Sequence, residues 1–412
     1  MIPLPLDELR AFGLGRVAGD ADVVTGVEID SRRVGPGDLF VAVGGGVAFV
    51  DDARAARAVV LVPDDAFAAL AVLGRWVRER TDARVVAITG SVGKTSTKDI
   101  LAALLRPHVR VVAAEDGFNN ELGLPLTLCR AEPDTEVLVT EMGMRGAGQI
   151  RELAAIARPQ VGVITSIAPV HLEALGSLEN IARAKAELLG ELAPGGVAVL
   201  PTDTPVLDPF VPAGLDVRRF SPSDVEVRDG RAHVRFDGRD VAFAFAARHQ
   251  ARNAVAALTT CQVLGVPLPE DAVDVTFSRW RSQESELPGG GLLVNDAWNA
   301  NPVAMQAALE HLVERAERRR TVAVLGDMAE LGADGPRYHA EVARAIDRLG
   351  IDVVVGVGEL SRVYGGEWVS DAATARDLVR GIVQPGDAVL VKGSRAIGLE
   401  VVADALAGVA AR

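Results

Sequence analysis

The stretch 88–101, "ITGSVGKTSTKDIL", sets two glycines, a lysine and several hydroxyl side chains between an apolar run and a run of helical period. Such a loop suits phosphate. Glycines let backbone N–H groups approach an anion, the helix that follows adds its dipole, Lys94 supplies a point charge, and the Thr95 hydroxyl can reach Mg²⁺. Gly90, Ser91, Val92, Gly93, Lys94, Thr95 and Ser96 are therefore the candidate cradle for a nucleotide triphosphate. The spacing departs from the general phosphate loop, whose first glycine would fall at Ile88. A glycine turn with a solvated lysine is the alternative, and the strand before and helix after weigh against it.

In open parallel sheets, ligands bind beyond the carboxyl ends of the strands. Glu141 after "EVLVT", His171 after "VGVITSIAPV" and Asp296 after "GLLVN" stand at such places. Thr95, Glu141 and His171 around a triphosphate would form a hard-cation environment, although Mg²⁺ favours oxygen and the histidine is the less expected member. Each taken singly also reads as a capping or loop side chain. Lys185 shares a helical stripe with Leu178, Ile181, Ala182 and Leu189, so it falls on the inward face. An unpaired ammonium there is expensive. Such a lysine snorkels to water, pairs with an anionic site, or is chemically modified.

The elements that must carry these residues alternate. From 84 onward, apolar β-rich runs ("RVVAIT", "EVLVTEM", "VGVITSI", "GVAVLP") are separated by helix-period segments, which predicts βαβ units and a parallel sheet. A second alternation begins near 291, with helices expected from Pro302, Gly335, Asp371 and Ala396, and "PGGGLL" as a connector or hairpin tip. With 412 residues the chain is too long for one core. The expected fold class is α/β in three domains: a small α/β domain over 1–83, a central phosphate-loop ATPase domain with a parallel sheet over 84–278, and a Rossmann-like α/β domain over 279–412.

A net charge of -13 argues against a nucleic-acid partner, which calls for a basic footprint. An anionic ligand must then be held by local groups. The opening "MIPLPLDELR" has no basic region leading into an apolar one, and no apolar run reaches the length of a spanning helix, so a cytoplasmic protein without membrane insertion is expected. Cys129 and Cys261 lack metal-ligand spacing and are expected to be buried thiols.

With these residues assembled, the chain resembles the Mur ligase family along nearly its whole length. The likeness is carried by "DSRRVGPGDLFVAV", "TGSVGKTSTKD", "NNELGLPLTL", "EMGMRGAGQI", "ITSIAPVHLEALGSLENIARAKAELL", "RHQARNA", "NDAWNANPVAM", "VLGDMAELG" and "VLVKGSRAIGLE". "WNANP" and "GDMAELG" are most similar to the group that adds D-alanyl-D-alanine to a UDP-muramyl tripeptide. The resemblance implies ATP, two Mg²⁺ ions and an acyl phosphate on the peptide's terminal carboxylate, which the incoming amine attacks.

It further implies Thr95 and Glu141 on one Mg²⁺, His171 and a carbamylated Lys185 at the second, and Lys94, Glu141, His171 and Lys185 as the catalytic set. Asn253 would lie near adenine, Arg281 on phosphate and Asp296 on ribose. Ser31 and Arg32 would belong to the uridine site, and Asn119 and Asn120 would contact the muramyl peptide. Asn299, Asn301, Asp327, Ser394 and Arg395 would face the dipeptide and the cleft. A monomer is implied at the family level. Departures are the abbreviated "GGGVAFVDDARAARAVVLVP", Pro201 and Thr204 where Asn and Asp are common, Gln250 for Asn, and Trp298 for Tyr. The short first domain keeps a related ATP-dependent amide ligase with another acceptor in view. A nucleotide-binding protein without catalysis and a folylpolyglutamate synthase fit less of the pattern.

Overall fold

The computed structural model describes residues 1–221 and 225–408. Its architecture is α/β throughout, built on three sheets that each carry helices. The first is four-stranded, with Val59–Pro63 between Gly15–Ala18, antiparallel to it, and Asp38–Val41, parallel to it, and with Gly26–Glu28 at the far edge. The second is six-stranded and all parallel. Arg84–Thr89 sits inside it between Val161–Ile164 and Val137–Glu141. The third, also six-stranded, is parallel except for Gln283–Leu287, which forms a hairpin with Gly291–Asp296 across the glycine-rich tip.

Continuous Val/Ile/Leu runs suit strands covered on both faces. In the second sheet one face packs Val86, Ile88, Val139 and Val163 against the helices Lys94–Leu105 and Arg248–Leu264. The other face joins a core that runs on without a break into the first sheet, through Leu70, Leu73 and Val77 of the helix Ala66–Arg78. That helix is started by Asp65, whose carboxylate accepts from the Phe67 and Ala68 amides. One amphipathic helix thus serves both sheets. Cys129 and Cys261 are buried free thiols, as expected.

The sequence reading left some elements out. A three-stranded meander, Val225–Arg228, Arg231–Phe236 and Arg239–Phe243, turns at Asp229-Gly230 and Asp237-Gly238, all four residues having positive φ. Asp-Gly pairs between alternating residues are the standard hairpin cue, so the signal was present. The last helix begins at Glu400, after a 3₁₀ turn Arg395–Ile397, rather than at Ala396. No helix among the described residues is long and apolar enough to cross a membrane.

The link into the third sheet is pinned beside the phosphate loop. Lys98 donates to Ala114 O (2.8 Å) and Ser278 Oγ (3.2 Å), while the Asp99 carboxylate accepts from the Ser278 amide at 2.9 Å. The Arg279 amide then donates to Asp116 (3.1 Å). This fixes where the chain enters 280–282, and so where Arg281 and Asp296 stand.

Candidate active site

Gly90 (φ +151°) and Gly93 (φ +86°) turn the chain from the buried strand Arg84–Thr89 into the helix Lys94–Leu105. The loop's first half is tied down: Ser91 N donates to Ser166 O (2.9 Å), Val92 N to Ser166 Oγ (2.9 Å), and Thr165 Oγ1 to Val92 O (2.6 Å). Its second half is open. Among the described residues the amides of 93, 94, 95 and 96 have no acceptor, the first helical bond being Thr97 N to Gly93 O at 2.8 Å. Four free amides at a helix start, with the Lys94 ammonium folded back onto Gly90 O at 2.9 Å, form an anion cradle.

Gly93 is constrained twice over, by its left-handed φ and by space, since a Cβ there would lie 2.1 Å from Asn253 Oδ1. Gly93→Ala is expected to weaken nucleotide binding at least about tenfold, because the left-handed strain of about 1–2 kcal/mol adds to displacement of Asn253. Calorimetry with ADP reads this directly, and wild-type affinity would refute it.

Around the cradle the strand ends converge. Glu141 closes Val137–Glu141 in register with Ile88 and is 3% exposed; its Oε1 accepts from Asn119 Nδ2 at 2.9 Å. His171 caps the short helix Leu172–Leu175 with φ +54°, and its Nδ1 meets the Glu330 carboxylate from the third sheet. Lys185, on the helix Leu178–Gly190 started by the Ser177 cap, is 1% exposed and has no hydrogen-bond or ion-pair partner among the described residues. Burial first, then the Lys94 charge, hold its ammonium well below the usual lysine range.

The charges of these groups act on one another. Burial lowers the Lys94 pKa, Glu141 opposes the shift and Arg281 adds to it. Burial likewise lowers His171, with Glu330 opposing and Lys185 and Lys94 reinforcing. Arg281 is depressed by burial against the pull of Glu141 and Asp296. Asp296 ends its strand as anticipated, and its carboxylate is held by Lys392 Nζ (2.5 Å) and the Ser282 amide (3.0 Å). Lys392 escaped the sequence reading, although it too closes an apolar run. Asn253 and Gln250 are buried together, Asn253 Nδ2 donating to Gln250 Oε1 at 2.7 Å. Lys94, Glu141, His171, Lys185 and Arg281 therefore occupy one neighbourhood, built from two sheets.

Among the described residues no three His, Cys, Asp or Glu side chains gather as a metal cage. The buried Glu141 carboxylate and Thr95 hydroxyl and the half-buried His171 imidazole, beside open amides, instead match a cation that completes its shell with phosphate and water.

Comparison with known proteins separates this site from other phosphate loops. The Mur ligase middle domain matches residues 88–261, and the Mur ligase glutamate ligase domain matches 280–395. The chain is 34% identical to the UDP-N-acetylmuramoyl-tripeptide--D-alanyl-D-alanine ligase of Mycobacterium leprae (strain TN), with 95% of this chain and 94% of that one covered. The chain belongs to the Mur ligase family. The Acinetobacter baumannii MurF crystal structure superposes with TM-score 0.82 at 25% identity, covering 98% and 99% of the two chains. MurF from Thermotoga maritima, solved with ADP, does so with TM-score 0.80 at 27% identity over 93% and 97%. The alignment with the mycobacterial protein runs over 487 positions against 412 residues here, so this Mur ligase lacks insertions that its relative carries.

The remaining residues singled out from sequence occupy other places in this Mur ligase. Arg32 pairs with Asp30 (2.7 Å) on an exposed loop of the first sheet beside Ser31, its side chain 86% exposed. Asn120 accepts from the Leu122 and Gly123 amides, Asn301 caps Pro302–Ala316 through Ala304 N, and Asn299 accepts from Ala300 N. The Asp327 carboxylate is engaged by the Ser361 (2.7 Å) and Leu360 (3.3 Å) amides, and Ser394 Oγ accepts from Ala329 N (2.8 Å). Arg395 lies over Trp280 (4.8 Å) and Trp298 (5.8 Å), whose rings stack at 5.9 Å, and Arg281 flanks Trp298 from 5.4 Å. Trp298 thus fills its place as an aromatic platform for two guanidinium groups.

Proposed function

We infer that the chain is an ATP-dependent ligase joining D-alanyl-D-alanine to the terminal carboxylate of a UDP-N-acetylmuramoyl-tripeptide in peptidoglycan synthesis. The observation that carries the reading is the convergence of the open amide cradle and Lys94 with Glu141, His171, Lys185 and Arg281. Full-length likeness to curated ligases of that name supports it. A carboxylate oxygen is a poor leaving group, so amide formation needs prior activation. The carboxylate attacks the γ-phosphorus, the bond to ADP breaks, and the dipeptide amine displaces phosphate from the acyl carbon while losing a proton. Catalysis is then mainly positioning and charge neutralisation.

In this reading the amides of 93–96 and Lys94 hold the phosphates, Arg281 adds a further positive charge, and Asp296, oriented by Lys392, accepts from ribose. Asn253 borders adenine. Thr95 and Glu141 would hold one Mg²⁺, His171 and a carbamylated Lys185 a second; magnesium, when bound, neutralises charge on the phosphoryl oxygens. Ser31 and Arg32 are assigned to the uridine end, Asn119 and Asn120 to the muramyl peptide, and Asn299, Asn301, Asp327, Ser394 and Arg395 to the dipeptide side. We assign residues 1–83, 84–278 and 279–412 as the three domains of a cytoplasmic monomer.

A second reading, another acceptor in the same chemistry, is favoured by one observation. The abbreviated segment folds as a 3₁₀ turn, Gly44–Phe49, and a short helix, Val50–Ala55, that leave Val47 and Phe49 each 51% exposed. Phosphate release with ATP, UDP-muramyl-tripeptide and D-alanyl-D-alanine, omitting each in turn, decides. Release is expected only with all three present; none with all three in folded, nucleotide-binding protein removes the first reading.

A further inference from the structure

His171 has two ring nitrogens, and only one can face a cation. Its Nδ1 is taken by the Glu330 carboxylate, 159 residues away on the segment that leaves Thr321–Gly326. That segment is a built surface. Met328 N donates to His339 Nε2 (3.0 Å) and Ala329 N to Ser394 Oγ (2.8 Å), anchoring it on the third sheet's side. On the other side Glu173 N donates to Glu330 O (3.4 Å), Glu330 Oε1 lies 3.9 Å from Arg145 Nε, and Gly332 runs so close that a Cβ there would stand 3.2 Å from Glu173 Cα. Glu330 itself takes a left-handed φ of +63°, unusual for a side-chain-bearing residue.

A carboxylate accepts and cannot donate when ionised, so the Nδ1 facing it carries the proton and the Nε2 lone pair is left free. A histidine ligand held through its other nitrogen by a carboxylate is a recurrent device for orienting metal-binding imidazoles. We propose that Glu330 is a positioning residue that fixes His171 as a cation ligand, so that the second cation site is complete only while the 328–332 segment rests on the 171–173 turn. The third domain would thereby report its closure to the site of phosphoryl transfer. The proposal rests on the ligase reading and extends it to a residue that reading leaves without a role.

The test titrates Mn²⁺ into protein with a non-hydrolysable ATP analogue, following free Mn²⁺ by electron paramagnetic resonance. Wild type is expected to bind two ions. Glu330→Ala should weaken the second by about 10- to 100-fold while sparing the first ion and the nucleotide. Glu330→Gln, whose amide oxygen still accepts from Nδ1–H, should recover most of the loss. In nucleotide-free protein, ¹⁵N imidazole shifts, assigned through His171→Gln, should show the Nδ1–H form in wild type and a mixture of tautomers in Glu330→Ala. An unchanged second-ion affinity in Glu330→Ala, or an Nε2–H tautomer in wild type, overturns the proposal alone. Failure of wild type to bind the nucleotide with Mn²⁺ would overturn the ligase reading and this proposal together.

Discussion

Lys94→Ala is expected to lower kcat/KM for ATP by about 10³-fold or more, with ADP affinity falling in parallel. Removing one preorganised donor to developing charge costs about 10²–10³-fold, and Lys94 also supplies a full charge to the ground-state phosphates. The surroundings enlarge the effect. Lys94 is partly buried beside Arg281, whose charge disfavours its own, while Glu141 opposes that repulsion. A polyphosphate relieves that repulsion, and alanine removes the group nearest the loop. Lys94→Arg is not expected to rescue, because a planar guanidinium cannot take the ammonium's place against Gly90 O. Calorimetry with ADP and a phosphate-release assay check both halves; unchanged affinity would show that the phosphates sit elsewhere.

Where the sequence was legible, a short-range physical rule applied. Glu141 and Asp296 were found because a polar residue ending an apolar run marks a strand's carboxyl end, and both do end their strands. Lys185 was found because a helical stripe fixes which side faces inward. What stayed hidden depends on chain segments meeting from afar. Nothing near His171 announces Glu330, and nothing near Asp296 announces Lys392; the two strands must first lie side by side, with Asp296 level with Lys392, before the pair exists. Local chemistry also competes with function. Asn301 before Pro302 has the form of an N-cap with proline at the first helical position, and its side-chain oxygen makes that cap. The edge strand Glu367–Val369 was missed because three residues are too short for the apolar run that identified its neighbours, and the antiparallel Gln283–Leu287 because it is polar and almost wholly exposed.

Lys185 decides between two physically distinct accounts of the same burial. If it were only a lysine caught in a core, Lys185→Met would remove an unpaired ammonium, raise Tm and leave turnover intact. The expected result differs: stability retained or raised, and turnover lowered by at least about 10²-fold. Depression of its pKa, by burial first and by Lys94 second, favours the free amine over the ammonium. That amine can add to CO₂, forming an N–C bond and releasing one proton, which places a carboxylate where a cation was disfavoured. The new charge then attracts Lys94 instead of repelling it. The sign follows: lowering pH returns a proton to the amine and reverses the addition, so turnover should fall as pH drops and as dissolved CO₂ is removed, and recover with bicarbonate. ¹³CO₂ labelling should give a carbamate resonance in wild type that Lys185→Met lacks. Full turnover in Lys185→Met, or a wild-type enzyme indifferent to CO₂ and silent under the label, would return Lys185 to the role of a buried core residue.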